Sequence, residues 1–233
     1  MSSFLTKCKD WYIARRGFHT NRHLVIIESD DWGSIRMPST EVLHKLQKNG
    51  DHPESDAFLR NDCLESAADL TSLFAVLTSI KDKNGSPAVV TANFAMANPD
   101  FDKIDPINGT YFFEPFTDTY QRYYPEQDVF SCVQGGIKSS CFVPQLHCRE
   151  HMNVNRWMSD LKQQKSDTVL AFQNHMIGIG AAFSQENPFG YMDAFNSNFT
   201  SGAELSNIVH EAMGIFENTF GKKSETFVAS CFV

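Results

Sequence analysis

The sequence predicts an α/β fold, and three observations carry that expectation. Strand-type and helix-type segments alternate along the chain instead of falling into separate blocks. Leu24 to Ser29 opens on a continuous apolar run, the pattern of a strand buried on both faces. That run ends in Asp30-Asp31-Trp32-Gly33, a turn sequence at the place where parallel sheets carry their chemistry.

Each element follows from local signals. Pro38-Ser39-Thr40 starts a helix that runs through Lys48 and stops at Asn49-Gly50. Leu70, Leu73, Phe74 and Leu77 lie on one face of a longer helix written in Leu64 to Lys81, closed by Asn84-Gly85. Pro87 to Met96 reads as the second strand. From Asn98 to Gln127 the chain is rich in Pro, Asp, Tyr and Phe without a clear period, so a long loop with one short element is expected. Asp128 to Ile137 reads as a short helix and Ser140 to Leu146 as a third strand leading into His147. Asn153 caps a helix through Lys165. Thr168 to Phe172 is apolar enough for a strand, with helix as the alternative, and Gly178 to Ser201 is irregular. Ala203 to Phe220 is an amphipathic helix ended by Gly221, and Glu225 to Val233 is β-rich.

At 233 residues the chain reads as a single domain, residues 1–233, with 1–22 as an N-terminal extension. Apolar content of 42% and charged content of 21% are ordinary for a globular protein. No segment approaches the run of about 18 apolar residues that a membrane span needs, and the N-terminus lacks a secretory pattern. The six cysteines show no CxxC spacing, which fits free thiols in a reducing cytoplasm. A net charge of −8 argues against nucleic acid, and Lys7, Lys9, Arg15, Arg16 and Arg22 read as a solvated segment, not a binding patch. The apolar run Thr226 to Val233 leads to the expectation that these residues are the front part of a longer protein. A barrel cut there would expose strand edges and self-associate as a homo-oligomer.

Asp31, just past the first strand, joins the pair His147 and His151 as a candidate divalent-metal site. Three Asp and His ligands with an open position suit hydrolytic metal chemistry. A spacing of four puts both imidazoles on one side of a helical turn. His19 and His23 have the same spacing but precede the first strand. They would therefore lie about 20 Å from the aspartates, at the other end of a strand rising roughly 3.3 Å per residue. His147 follows the third strand and shares the C-terminal rim with Asp30 and Asp31. The alternative reading is a turn and helix cap flanked by two structural histidines.

Strand-Asp30-Asp31-x-Gly33 followed by His147-x-x-x-His151 resembles the polysaccharide deacetylases of the NodB type. The resemblance implies a distorted (β/α) barrel of about seven strands, a metal held by Asp31, His147 and His151, and Asp30 as general base. Phe227 to Phe232 stands at the place of a third family motif, where the Cys231 backbone N–H would help hold an oxyanion. The implied reaction removes an N-acetyl group from a sugar or polysaccharide. Zinc is the expected metal, with cobalt, nickel or iron also compatible. Three positions depart from the family pattern: Trp32 intrudes before Gly33, Cys148 replaces a Ser or Thr, and Val228 stands where the family's Arg orients the base. Arg36 is a candidate substitute for that Arg, Trp32 and Arg36 are candidate substrate contacts, and His175 is a weaker candidate acid. Two rivals are a C–N hydrolase opening cyclic imides or ureides, and a metal-retaining or sugar-binding domain without turnover.

Overall fold

Along the chain, α1 (Ser2–Arg16) precedes β1 (Ile27–Trp32), α2 (Thr40–Lys48), α3 (Ala57–Asn61) and α4 (Ala67–Ser79). There follow β2 (Val90–Ala95), β3 (Ala97–Pro99), β4 (Phe113–Pro115), α5 (Phe116–Tyr123) and α6 (Val129–Lys138). The chain then runs through β5 (Phe142–Cys148), α7 (Val154–Lys162), α8 (Ser166–Gln173) and α9 (Gly202–Phe220). The structure is a computed structural model and describes residues 2–17, 20–21, 23–51, 56–179 and 190–231.

The α/β expectation holds. The main sheet has three parallel strands in the order β1-β2-β5, and β3 pairs with β4 in a separate antiparallel ribbon. No closed barrel forms among the described residues. The Phe227 backbone makes an isolated parallel bridge to Leu146, and Val228 N–H donates to the Leu146 carbonyl at 3.2 Å. The expected β-rich terminal segment is thus reduced to one bridge beside β5, with Phe232 and Val233 outside the described residues.

Alternation along the strands divides the sheet into two faces. Val90, Ala92 and Phe94 of β2 and Phe142 and Leu146 of β5 share a core with Leu70 and Leu77 of α4 and Val133 of α6. Ala212 and Phe216 of α9 complete that side. Phe94 has no exposed surface and lies 5.2 Å, centroid to centroid, from Phe116 and from Phe220. Such burial stabilises by about 1.5–3 kcal/mol for each large apolar side chain. The opposite face is polar, carrying Glu28, Asn93 and Gln145 at neighbouring positions of the three strands.

Helix ends follow the expected chemistry. Ser39 caps α2 through Val42 N–H, Ser66 and Asp69 form a capping box on α4, and Asn153 caps α7 through Arg156 N–H. Gly221 ends α9 at φ 68°, the left-handed conformation glycine adopts without steric cost.

Four expectations are corrected. The first strand begins at Ile27, not Leu24, because β2 starts at Val90 opposite Ile27 and offers the earlier residues no partner. Val25 and Ile26 are accordingly 89% and 80% exposed. The segment 98–127 is not one long loop but holds most of β3, all of β4 and α5, elements too short to show a period. Thr168 to Phe172 is helical, within α8. A short helix, α3, forms where none was expected, with Asp56 accepting from Phe58 and Leu59 N–H.

Candidate metal centre

Two β-bulges build the site. Ser29 pairs with Ala92 and Trp32 with Phe94, so two residues of β1, Asp30 and Asp31, oppose the single residue Asn93. Asp31 takes the strain, at φ 69°. On β5, Leu146 pairs with Phe94 and Cys148 with Ala95, which leaves His147 as the extra residue. A bulge re-aims the side chain at the irregularity. Here it lets consecutive aspartates serve one cleft, although a regular strand would send them to opposite faces.

The loop after β1 is held on both sides. Gly33 sits at φ 76°, and a Cβ there would lie 2.9 Å from the Ala95 carbonyl oxygen. Buried Asn98 donates to the Gly33 carbonyl at 2.8 Å and accepts from Ile35 N–H at 3.0 Å. The turn carrying Asp31 is therefore fixed before any ligand arrives.

Asp31, His147 and His151 each bring a ligand atom within 4.8 Å of the others. His147 Nε2 lies 3.3 Å and His151 Nε2 3.1 Å from Asp31 Oδ1. Both histidines are buried. The two rings do not share a helical turn as expected: His147 is still in β5, His151 lies in the bend that follows, and α7 begins only at Val154. Spacing and position found the pair, by a different local geometry.

The tautomer of His147 follows from its partner. Its Nδ1 lies 2.8 Å from the Val228 carbonyl, which can only accept, so Nδ1 carries the proton. Nε2 then turns a lone pair toward the Asp31 carboxylate, and neither His147 Nε2 nor Asp31 Oδ1 has a hydrogen-bond partner although both atoms are buried. A bound cation would satisfy both of these orphaned atoms, and one carboxylate with two imidazoles is a fitting donor set for a metal. The three residues can hold a metal ion.

Electrostatics favour the ligand forms. Burial would raise the Asp31 carboxyl, but His147, His151 and Arg36 together hold it well below the usual carboxylate range. Burial pushes His151 down to about 4, against the pull of Asp31. His151 is therefore neutral in the folded protein at pH values where the unfolded chain takes up a proton. Its contribution is fully present above about pH 6.5 and is lost as pH falls from there to about 4, by about 3 kcal/mol. Urea unfolding with a chelator present, at pH 7 and at pH 4.5, measures this loss. A His151→Gln variant should show a flatter profile.

Arg36, the candidate substitute for the family's arginine, lines the cleft beside Asp31. Its Nη2 donates to Asp31 Oδ2 at 2.6 Å, its Nε lies 3.5 Å from Asp62, and its guanidinium covers the Phe58 ring. It braces Asp31 and makes no hydrogen bond or ion pair with Asp30. Groups that orient metal ligands typically matter 10–100-fold, so Arg36→Met should weaken metal affinity by about that factor in a chelator competition titration.

Asp30, Asp31, Trp32, Arg36, His147, His151 and Cys231 all line one cleft of about 780 Å³, within the range of small-ligand sites. Asp30 accepts from Asn93 Nδ2 at 2.7 Å. Cys231 adopts φ 63°, and its thiol donates to the Met192 carbonyl. Trp32 lines the cleft, and its ring also packs edge-on against Phe142 at 4.9 Å. His175 does not line this cleft. It stacks on Phe101 and lines a neighbouring hollow, which meets the cleft at Asp62 and Cys63. His23 is exposed, and His19 lies outside the described residues.

Sequence reasoning missed Asn93 and the Val228 carbonyl. Asn93 had a signal, a lone amide inside the apolar run Pro87 to Met96. A backbone carbonyl has none.

Comparison of the chain with family models, with curated proteins and with solved structures finds no match. No helix among the described residues is long and apolar enough to cross a membrane.

Proposed function

We propose that the protein is a metal-dependent hydrolase of C–N bonds that removes N-acetyl groups from a sugar or polysaccharide. The observation that carries the reading is the convergence of Asp31, His147 and His151 in one cleft beside Asp30. Asp31, His147 and His151 would hold the metal, with zinc the best fit to two imidazoles and a carboxylate. A divalent ion bound there supplies a Lewis acid that polarises the amide carbonyl and makes water more acidic.

The chain's own groups do the rest. Asp30 takes a proton from the attacking water, which a neighbouring ligand carboxylate cannot do while it is committed to a cation. The Cys231 backbone N–H donates to the oxygen that gains charge in the transition state. Arg36 and the Val228 carbonyl hold Asp31 and His147 in their ligand orientations.

A second reading, a metal-retaining sugar-binding domain, is favoured by one observation: His175, the acid candidate, is absent from the cleft. The experiment that separates the readings loads the protein with zinc and offers N-acetylglucosamine oligomers and a cyclic imide in parallel. Acetate release is the expected result. Ring opening alone would favour the cyclic-amide reading, and binding without turnover would favour the sugar-binding one.

A further inference from the structure

We propose that Asn93 is the positioning residue for Asp30, an inference that rests on the reading of Asp30 as the base. A carboxylate that must take a proton at a defined place needs a fixed orientation. Among the described residues the hydrogen bond to the Asp30 side chain comes from Asn93, not from a basic side chain. Val228 stands at the position expected to carry an arginine, and Arg36 is engaged with Asp31 and Asp62.

Asn93 is placed to do this work. It lies in the central strand of the sheet, paired through the backbone with Gln145 on β5, and has no exposed surface. Its Nδ2 lies 2.7 Å from Asp30 Oδ1 and 3.0 Å from Glu28 Oε1. The two N–H groups of one amide thus serve two carboxylates. That arrangement also fixes which way the amide points, because the reverse orientation would turn its carbonyl oxygen toward two anions. Glu28 locks the rotamer, and the remaining N–H holds Asp30 by Oδ1, which leaves Oδ2 to accept the proton.

The amide is costly where it stands. Its Oδ1 is buried with no hydrogen-bond partner. An apolar residue would remove that desolvation penalty from the middle of a strand whose other residues include Val90, Ala92 and Phe94. The donor group is what asparagine adds at this position, and both of its acceptors are carboxylates on β1.

The test has two arms. In the first, zinc-loaded wild type, Asn93→Ala, Asp30→Asn and the double variant are compared on an N-acetylated oligosaccharide. Asn93→Ala should lower kcat by about 10–100-fold with KM within about twofold, the scale expected from misplacing a reacting group. Zinc content should be unchanged. In the Asp30→Asn background, Asn93→Ala should add no further loss, because its effect passes through Asp30. A loss that adds in full would make Asn93 a packing residue and overturn the proposal. The second arm needs no turnover and leaves Asn93 in place. The side-chain amide of Asn93 is followed by 1H–15N NMR in metal-free wild type and Asp30→Ala. Wild type should show slow solvent exchange, and Asp30→Ala should shift the resonances and speed their exchange. Unchanged resonances would overturn the proposal. If wild type releases no acetate, the hydrolase reading fails, and the NMR arm still decides whether Asn93 holds Asp30.

Discussion

Replacing either His147 or His151 by alanine should abolish zinc binding, while His23→Ala should leave it intact. Removing one imidazole leaves a two-ligand site, and the remaining carboxylate is already engaged by Arg36 at 2.6 Å. The effect reads out as stability as well as affinity. A ligand that binds only the folded state stabilises it by about 2.7 kcal/mol at 100 times Kd and about 4.1 kcal/mol at 1,000 times Kd. Wild type and His23→Ala should therefore gain that much on zinc addition, and His147→Ala should gain nothing. The difference is large enough to appear as a shift of several degrees in thermal unfolding. A zinc-dependent gain retained by His147→Ala would remove that residue from the site.

The second large effect concerns the base. Asp30→Asn keeps the shape of the side chain and keeps a carbonyl oxygen able to accept from Asn93, but it cannot take a proton from water. Loss of a general base typically costs about 10²–10⁴-fold, so acetate release should fall by that factor while zinc content stays unchanged. Zinc and activity lost together would make Asp30 a ligand and not a base.

Much of this site was legible from residue types and their order. The first strand forms an exposed edge of the sheet and is not buried on both faces as expected. Even so, an apolar run into Asp30-Asp31 and a histidine pair after a later strand sufficed to bring Asp31, His147 and His151 together, because parallel strands place their C-terminal ends on one rim. The same reason placed His19 and His23 at the far end of the first strand, of which only the exposed His23 lies among the described residues. The means of convergence was not legible. Neither bulge has a local signature, since a bulge is a mismatch between two strands and each strand alone looks regular. The helical-turn geometry assigned to His147 and His151 was therefore replaced by a strand and a bend.

Well-capped helices such as α2, α6 and α9 could be read almost to the residue, because caps and apolar period agree there. Strand limits could not, because a strand ends where its partner ends, as Leu24 to Ile26 show in front of Val90. The packing partners of Arg36 and Trp32 were not legible for a related reason. Arg36 has two acidic neighbours that compete for it, and Trp32 follows the bulge and so falls on the core side of the sheet, opposite Phe94.

The most direct measurement is elemental analysis of the purified, zinc-loaded and desalted protein, run beside the His147→Ala, His151→Ala double variant. The arrangement of Asp31, His147 and His151 predicts one zinc per wild-type chain and none in the double variant. Zinc retained in equal amount by the double variant, or absent from a folded wild type after loading, would contradict the assignment of this cleft as a metal centre.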